Sequence, residues 1–101
     1  MTTATPARPG KIVCVGRNYA AHARELGNDV PERPLLFFKP PSAVIGSGES
    51  IVLPKASAQV EYEGEIGVVI GTPLRRASEA AARAAVRGIV AVNDVTARDL
   101  Q

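Results

Sequence analysis

Nine glycines and eight prolines in 101 residues leave this chain little room for any long regular element. Average usage would supply roughly 12 of the two together. The excess cuts the sequence into short pieces, which favours strands with a few short helices. Apolar pieces read as strands over 11–15, closed by Gly16, then over 35–38, 51–53, 59–70 and 89–92. Gly64 and Gly67 are the expected bulge or bend points of the longest strand. The stretch 39–46 is irregular, because Pro40 and Pro41 exclude a central strand. Helix signals fall in two places. Asn18 caps a run of good helix formers over 18–26 that Gly27 ends. Ser78 caps an alanine-rich run to about Arg87, ended by Gly88. Thr96 and Asp99 have the spacing of a capping box and announce a third helix, yet the sequence stops at Gln101. The expected class is therefore α+β, mainly β. Residues 1–10 are expected to be a flexible leader and 11–101 a partial domain that is incomplete at its C-terminus.

Composition narrows the partners. Apolar residues at 46% and charged residues at 22% are ordinary for a globular chain. The net charge is only +2, and two tyrosines, two phenylalanines and no tryptophan make a poor base-stacking surface, so no nucleic-acid partner is expected. Cys14 is the single cysteine, which excludes an internal disulfide and a cysteine zinc site, and its apolar neighbours suggest a buried small hydrophobe. No run approaches the roughly 20 apolar residues that span a bilayer, and the N-terminus lacks an apolar signal core. A cytoplasmic location without membrane contact is the expectation.

Chemistry concentrates in Glu61, Glu63 and Glu65, which strand alternation places on one face. Three acids in a row also suit a solvated sheet edge. Asp94 adds a fourth acid at the end of the next apolar strand. If that strand pairs with the first, Asp94 converges with Glu63 and Glu65. Two like charges 4 Å apart repel by about 4 kcal/mol at an effective dielectric of ~20. Such a cluster protonates, splays or holds a cation, and oxygen ligands alone select a hard ion: Mg²⁺, Mn²⁺ or Ca²⁺. His22 and Glu25 lie three apart on the first expected helix and so share a face. That is the arrangement of a general base with its orienting carboxylate, and equally of a solvent-facing histidine with an incidental neighbour.

Four blocks together resemble the fumarylacetoacetate hydrolase family, in particular its acylpyruvate-hydrolase-like branch. They span residues 14–25 (CVGRNYAAHARE), 38–43 (FKPPSA), 62–71 (YEGEIGVVIG) and 93–101 (NDVTARDLQ), in family order. The resemblance covers the N-terminal half of the catalytic core. It implies a mixed β-roll of the fumarylacetoacetase C-terminal-domain type, a homodimer in the full-length protein, and a divalent cation. Matched position by position, Glu63, Glu65 and Asp94 are the metal ligands, and Glu61 falls outside that trio. His22 and Glu25 match the water-activating pair on a mobile lid, expected to order when ligand binds. Arg17, Lys39 and Gln101 match substrate-binding positions, and Arg98 lies in the same shell or simply pairs with Asp94.

At Val15 the fumarylacetoacetate hydrolases proper carry a further acidic ligand, which places this chain nearer the acylpyruvate branch. The implied activity is metal-dependent hydrolysis of a C–C bond in an acylpyruvate or related small 2-oxo acid through an enolate stabilised by the cation. Oxaloacetate decarboxylation and isomerisation of a hydroxy-diene-dioate share that intermediate. The family's core is roughly twice this length by usual domain sizes. A truncated half-site that binds metal without turnover is the competing reading.

Overall fold

The computed structural model describes residues 8–16 and 33–101. Arg17, His22, Glu25 and the helix expected over 18–26 lie outside the described residues. The chain divides into two units, Met1–Ser50 and Ile51–Gln101.

In the first unit, strand β1 (Ile12–Gly16) pairs antiparallel with β2 (Leu35–Lys39), Ile12 opposite Lys39 and Gly16 opposite Leu35. Both strands are runs of β-branched and aromatic residues, which suit a pleated surface. Cys14 is half-buried opposite Phe37, so it is less enclosed than its apolar neighbours suggest. After β2 the chain enters a single 3₁₀ turn at Pro41–Ala43, with proline at its first position, where the missing N–H costs nothing.

The second unit is one long antiparallel ribbon with an interruption. Strand β4 (Gly64–Ile70) pairs with β5 (Val86–Asn93), and the short β3 (Val60–Glu61) pairs with β6 (Thr96–Ala97). Glu61 lies opposite Thr96 and Gly64 opposite Asn93, so the same register runs through the gap. Glu63 therefore falls opposite Asp94. The amide of Asp94 donates to the carbonyl of Glu63 at 2.8 Å, which carries the ladder one step further. The strand expected over 59–70 is thus real in register but opens at Tyr62 and Glu63.

Between β4 and β5 lies helix α1 (Glu79–Ala84). The Ser78 hydroxyl accepts the Ala81 amide at 3.1 Å, the N-cap that the sequence announces. The helix does not reach Arg87, and Gly88 is not its C-terminal stop. Alanine-rich helix propensity yields at Val86, where β5 begins to pair with Ile70. Gly88 is instead a strand residue opposite Val69. The bulge falls here, between Val69 and Ile70, not at Gly67, which pairs regularly with Val90. Gly67 is needed for another reason, because a Cβ there would stand 2.9 Å from Cγ2 of Val90.

Two further expectations give way to tertiary contacts. Residues 51–53 form no strand. Thr96 and Asp99 form no capping box: Thr96 is a strand residue, and its hydroxyl donates to the Asp94 carbonyl at 2.9 Å. The Asp99 carboxylate accepts the Ser57 hydroxyl at 2.5 Å and the Ala58 amide at 2.9 Å, and the chain makes only a 3₁₀ turn at Arg98–Leu100.

The described residues are mostly strand with few helices. Beyond Glu65, both faces of the β4–β5 ladder are mainly apolar over 66–70 and 88–92, the pattern of strands covered on two sides. Ile66 and Ile89 are nonetheless 65% and 63% exposed, and Ala85 is the one buried apolar side chain among the described residues.

Candidate metal centre

Alternation along the ribbon sorts its side chains into two sets. Glu61, Glu63 and Glu65 on one strand share a face with Asp94, Thr96 and Arg98 on the other. The side-chain contacts follow that face. Arg98 Nε donates to Glu61 Oε1 at 2.8 Å and Nη2 donates to Glu63 Oε2 at 2.6 Å. The third limb, Nη1, donates to the side-chain oxygen of Gln101 at 3.2 Å. Thr96 lies between Asp94 and Glu63, its hydroxyl 3.4 Å from Glu63 Oε1. From the other face, the Asn93 side chain accepts the Glu63 amide at 3.0 Å and so holds the backbone where the ladder opens.

Glu63, Glu65 and Asp94 converge as alternation and pairing predict. Each is half-buried, and one ligand atom from each lies within 4.8 Å of the other two. Oδ1 of Asp94 is shielded from solvent. Like charges directly opposite on paired strands destabilise a ribbon. At these separations each pair repels by about 3–4 kcal/mol at an effective dielectric of ~20. Such an arrangement persists when something positive offsets it, and Arg98 supplies some of that charge through Glu63. It contacts Glu63, not Asp94, against the simple expectation from their spacing of four.

The donor set fits a hard divalent ion. Oxygens on opposite sides of Mg²⁺ are about 4 Å apart, and around Ca²⁺ about 5 Å, from metal–oxygen distances of roughly 2.0–2.1 and 2.3–2.6 Å. Three carboxylate oxygens within 4.8 Å of one another are near enough to be drawn onto one such ion by a small side-chain adjustment.

Arg98 itself is 11% exposed. Its hydrogen bonds, to Glu61 first and to Glu63, raise its pKa above the ordinary arginine value, so it stays charged. Lys39 ends β2 in the first unit. Gln101 contributes its side-chain oxygen to Arg98, as above. Sequence reasoning missed the roles of Thr96 and Asn93, and of its two readings of Arg98 the pairing with Asp94 gives way to contacts with Glu61 and Glu63. The signal was present in the register: once Asp94 is set opposite Glu63, Thr96 must lie opposite Glu61 and Arg98 beyond it on the same face.

Residues 11–101 match the family profile described as fumarylacetoacetate (FAA) hydrolase C-terminal. The chain belongs to the fumarylacetoacetate hydrolase family. A putative fumarylacetoacetate isomerase/hydrolase from Oleispira antarctica superposes with a TM-score of 0.88 at 47% identity, over 95% of this chain and 43% of that one. The mitochondrial oxaloacetate tautomerase of Arabidopsis thaliana is 46% identical over 90% of this chain and 41% of its own length. An oxaloacetate tautomerase of Escherichia coli is 43% identical over 90% of this chain and 42% of its own. The chain thus spans about two-fifths of the length of these relatives. Members of the fumarylacetoacetate hydrolase family are enzymes acting on small molecules, as hydrolases, isomerases and tautomerases, and often use a divalent metal. Among the described residues no helix is long and apolar enough to cross a membrane.

Proposed function

We propose that this segment is the cation-binding part of an enzyme that enolises a small 2-oxo acid, with oxaloacetate tautomerisation as its first activity. The observation that carries the reading is the convergence of Glu63, Glu65 and Asp94 on one strand face, in a chain similar to two named oxaloacetate tautomerases. Those three carboxylates would hold Mg²⁺ or a similar ion. A divalent cation there supplies positive charge that stabilises a developing enolate.

The remaining work falls to the chain's own groups. Arg98 holds Glu63 in place. Gln101, its side-chain oxygen turned to Arg98, offers its amide N–H groups to a substrate oxygen. Arg17 and Lys39 supply positive charge for the substrate carboxylate. His22, oriented by Glu25, takes a proton from the substrate and returns one to the neighbouring atom. In the whole protein these groups belong to a mixed β-roll that forms a homodimer and works in the cytoplasm.

Hydrolysis of an acylpyruvate is the second reading, favoured by the His22–Glu25 spacing. It needs an activated water as well as an enolate, whereas tautomerisation needs proton movement alone. Following the keto–enol interconversion of oxaloacetate by absorbance, with Mg²⁺, tests the first reading on the whole protein. Acceleration that disappears in Glu65→Gln supports it. No acceleration, alongside cleavage of acylpyruvate, overturns it in favour of the hydrolase. Metal binding without either activity leaves a non-catalytic half-site.

A further inference from the structure

The contacts of Arg98 assign a task to an acid that stands outside the ligand trio. We infer that Glu61, acting through Arg98, positions Glu63 for the cation, so that metal affinity depends on a carboxylate that does not touch the metal. The inference rests on the reading of Glu63, Glu65 and Asp94 as the cation site.

A guanidinium is planar and rigid, so fixing one limb fixes the direction of the others. In Arg98 the Nε limb meets Glu61 Oε1 at 2.8 Å and the Nη2 limb meets Glu63 Oε2 at 2.6 Å. Glu61 is itself fixed by the ladder, as a β3 residue opposite Thr96. The Arg98 backbone is tied to the same place, its amide donating to the Gln59 carbonyl at 2.8 Å. The plane of the guanidinium is thus set from the strand side, and Glu63 is held from Oε2.

That hold opposes a specific force. Asp94 lies directly across from Glu63, and the repulsion between them drives the Glu63 carboxylate away from the cluster. Without Glu61, Arg98 keeps its charge and its contacts with Glu63 and Gln101 but loses the limb tied to the ladder, so the fork is less firmly aimed. Glu63 is then less firmly aimed by Arg98, and a cation must complete that ordering on binding. Partners one step removed from a metal commonly set its affinity by 10–100-fold.

Charge alone would also make Glu61 favour a cation, so the test conserves charge. Glu61→Asp keeps the carboxylate and withdraws it by one methylene, and Arg98→Lys keeps the cation and removes the fork. Mn²⁺ titrations of the whole protein, read by the electron paramagnetic resonance of free Mn²⁺, compare these variants, their double variant and Asp94→Asn. Thermal unfolding of each metal-free protein is recorded alongside, since a merely structural role lowers the melting temperature and leaves affinity of the folded protein unmoved.

Glu61→Asp and Arg98→Lys are each expected to bind Mn²⁺ about tenfold more weakly. The double variant should be no weaker than Arg98→Lys, because the two act in one chain of contacts. Glu61→Asp binding as the unsubstituted protein does overturns the inference, as does a Glu61→Asp effect that adds in full to that of Arg98→Lys. Should Arg98→Lys fail to fold, Glu61→Asp alone decides. Asp94→Asn is expected to lose Mn²⁺ binding. Binding that survives Asp94→Asn instead removes the carboxylate-site reading on which the inference stands.

Discussion

At one end of the ribbon formed by β4 and β5, Glu63 faces Asp94 across the ladder, with Glu65 two residues along on the same face. Further along the same register, Gly67 faces Val90 and Val68 faces Ile89. The same register runs through both ends, but the pairs are opposite in kind. Apolar pairs of β-branched residues stabilise a sheet, while like charges across it destabilise it. The apolar end therefore acts as scaffold. The acidic end is a place where stability has been given up for a charge arrangement that a cation can use. The ladder opens at Tyr62–Glu63 and Asp94–Val95 without slipping register, so Glu63 and Asp94 sit where strand pairing is interrupted yet still held.

The largest effect that would break this contrast concerns Asp94. Asp94→Asn removes one of the opposed charges, so the metal-free protein should become more stable, by about 0.2–1 kcal/mol, while its response to Mg²⁺ disappears. The unsubstituted protein should gain roughly 2.7 kcal/mol at Mg²⁺ a hundredfold above its dissociation constant. Urea unfolding with and without Mg²⁺ reads both quantities. A variant that is less stable without metal, or that still responds to Mg²⁺, would show that the acidic end is held by something other than a cation.

The sequence made the acidic end more legible than its surroundings. Alternation put Glu61, Glu63 and Glu65 together, and a single pairing assumption brought Asp94 to them. Secondary-structure limits were harder to read because local signals lost to long-range pairing. The alanine-rich run after Ser78 favours helix, but β4 takes Val86 as a partner and stops it early. Thr96 and Asp99 spell a helix start, but Thr96 pairs with Glu61 in the ladder and Asp99 is drawn to Ser57, 42 residues away, partners that no local window contains. The same applies to Arg98: four residues from Asp94 in sequence, it turns toward Glu61 and Glu63 because they lie on its face of the ribbon. Arg17, His22 and Glu25 lie outside the described residues, so their roles rest on the sequence and on the family resemblance.

A second prediction sharpens the scaffold side. A Cβ on Gly67 would stand 2.9 Å from Cγ2 of Val90 and 3.0 Å from Cγ1 of Val92. Valine rotamers are stiff, so these methyl groups give way poorly. Gly67→Val should cost about 1–3 kcal/mol of stability, the usual range for overpacking, and should leave a stabilising response to Mg²⁺ in the folded protein. Its shift in urea midpoint measures this. A neutral or stabilising result would mean that the close approach of the two strands at Gly67 is not a fixed feature of the scaffold.

The smallest expected effect lies at the anchor of the acidic end, where residues 57–59 meet 97–99. The Ser57 hydroxyl, and after it the Ala58 amide, hold the Asp99 carboxyl below its ordinary pKa. A carboxyl whose pKa falls on folding favours the folded state fully above its unfolded value, near 3.9, and loses that contribution as pH falls through the lower, folded value. Asp99→Asn keeps the shape but removes the charge. It should therefore lower stability at pH 7 and at pH 6 by the same small amount, and the deficit should shrink below about pH 4. Other carboxylates titrate in that range too, but they do so in both proteins and cancel in the difference. Paired urea unfolding curves at pH 7 and pH 3 give that difference directly. A deficit equal at both values would show that Asp99 contributes by shape alone, leaving its charge out of what fastens the acidic end of the ribbon.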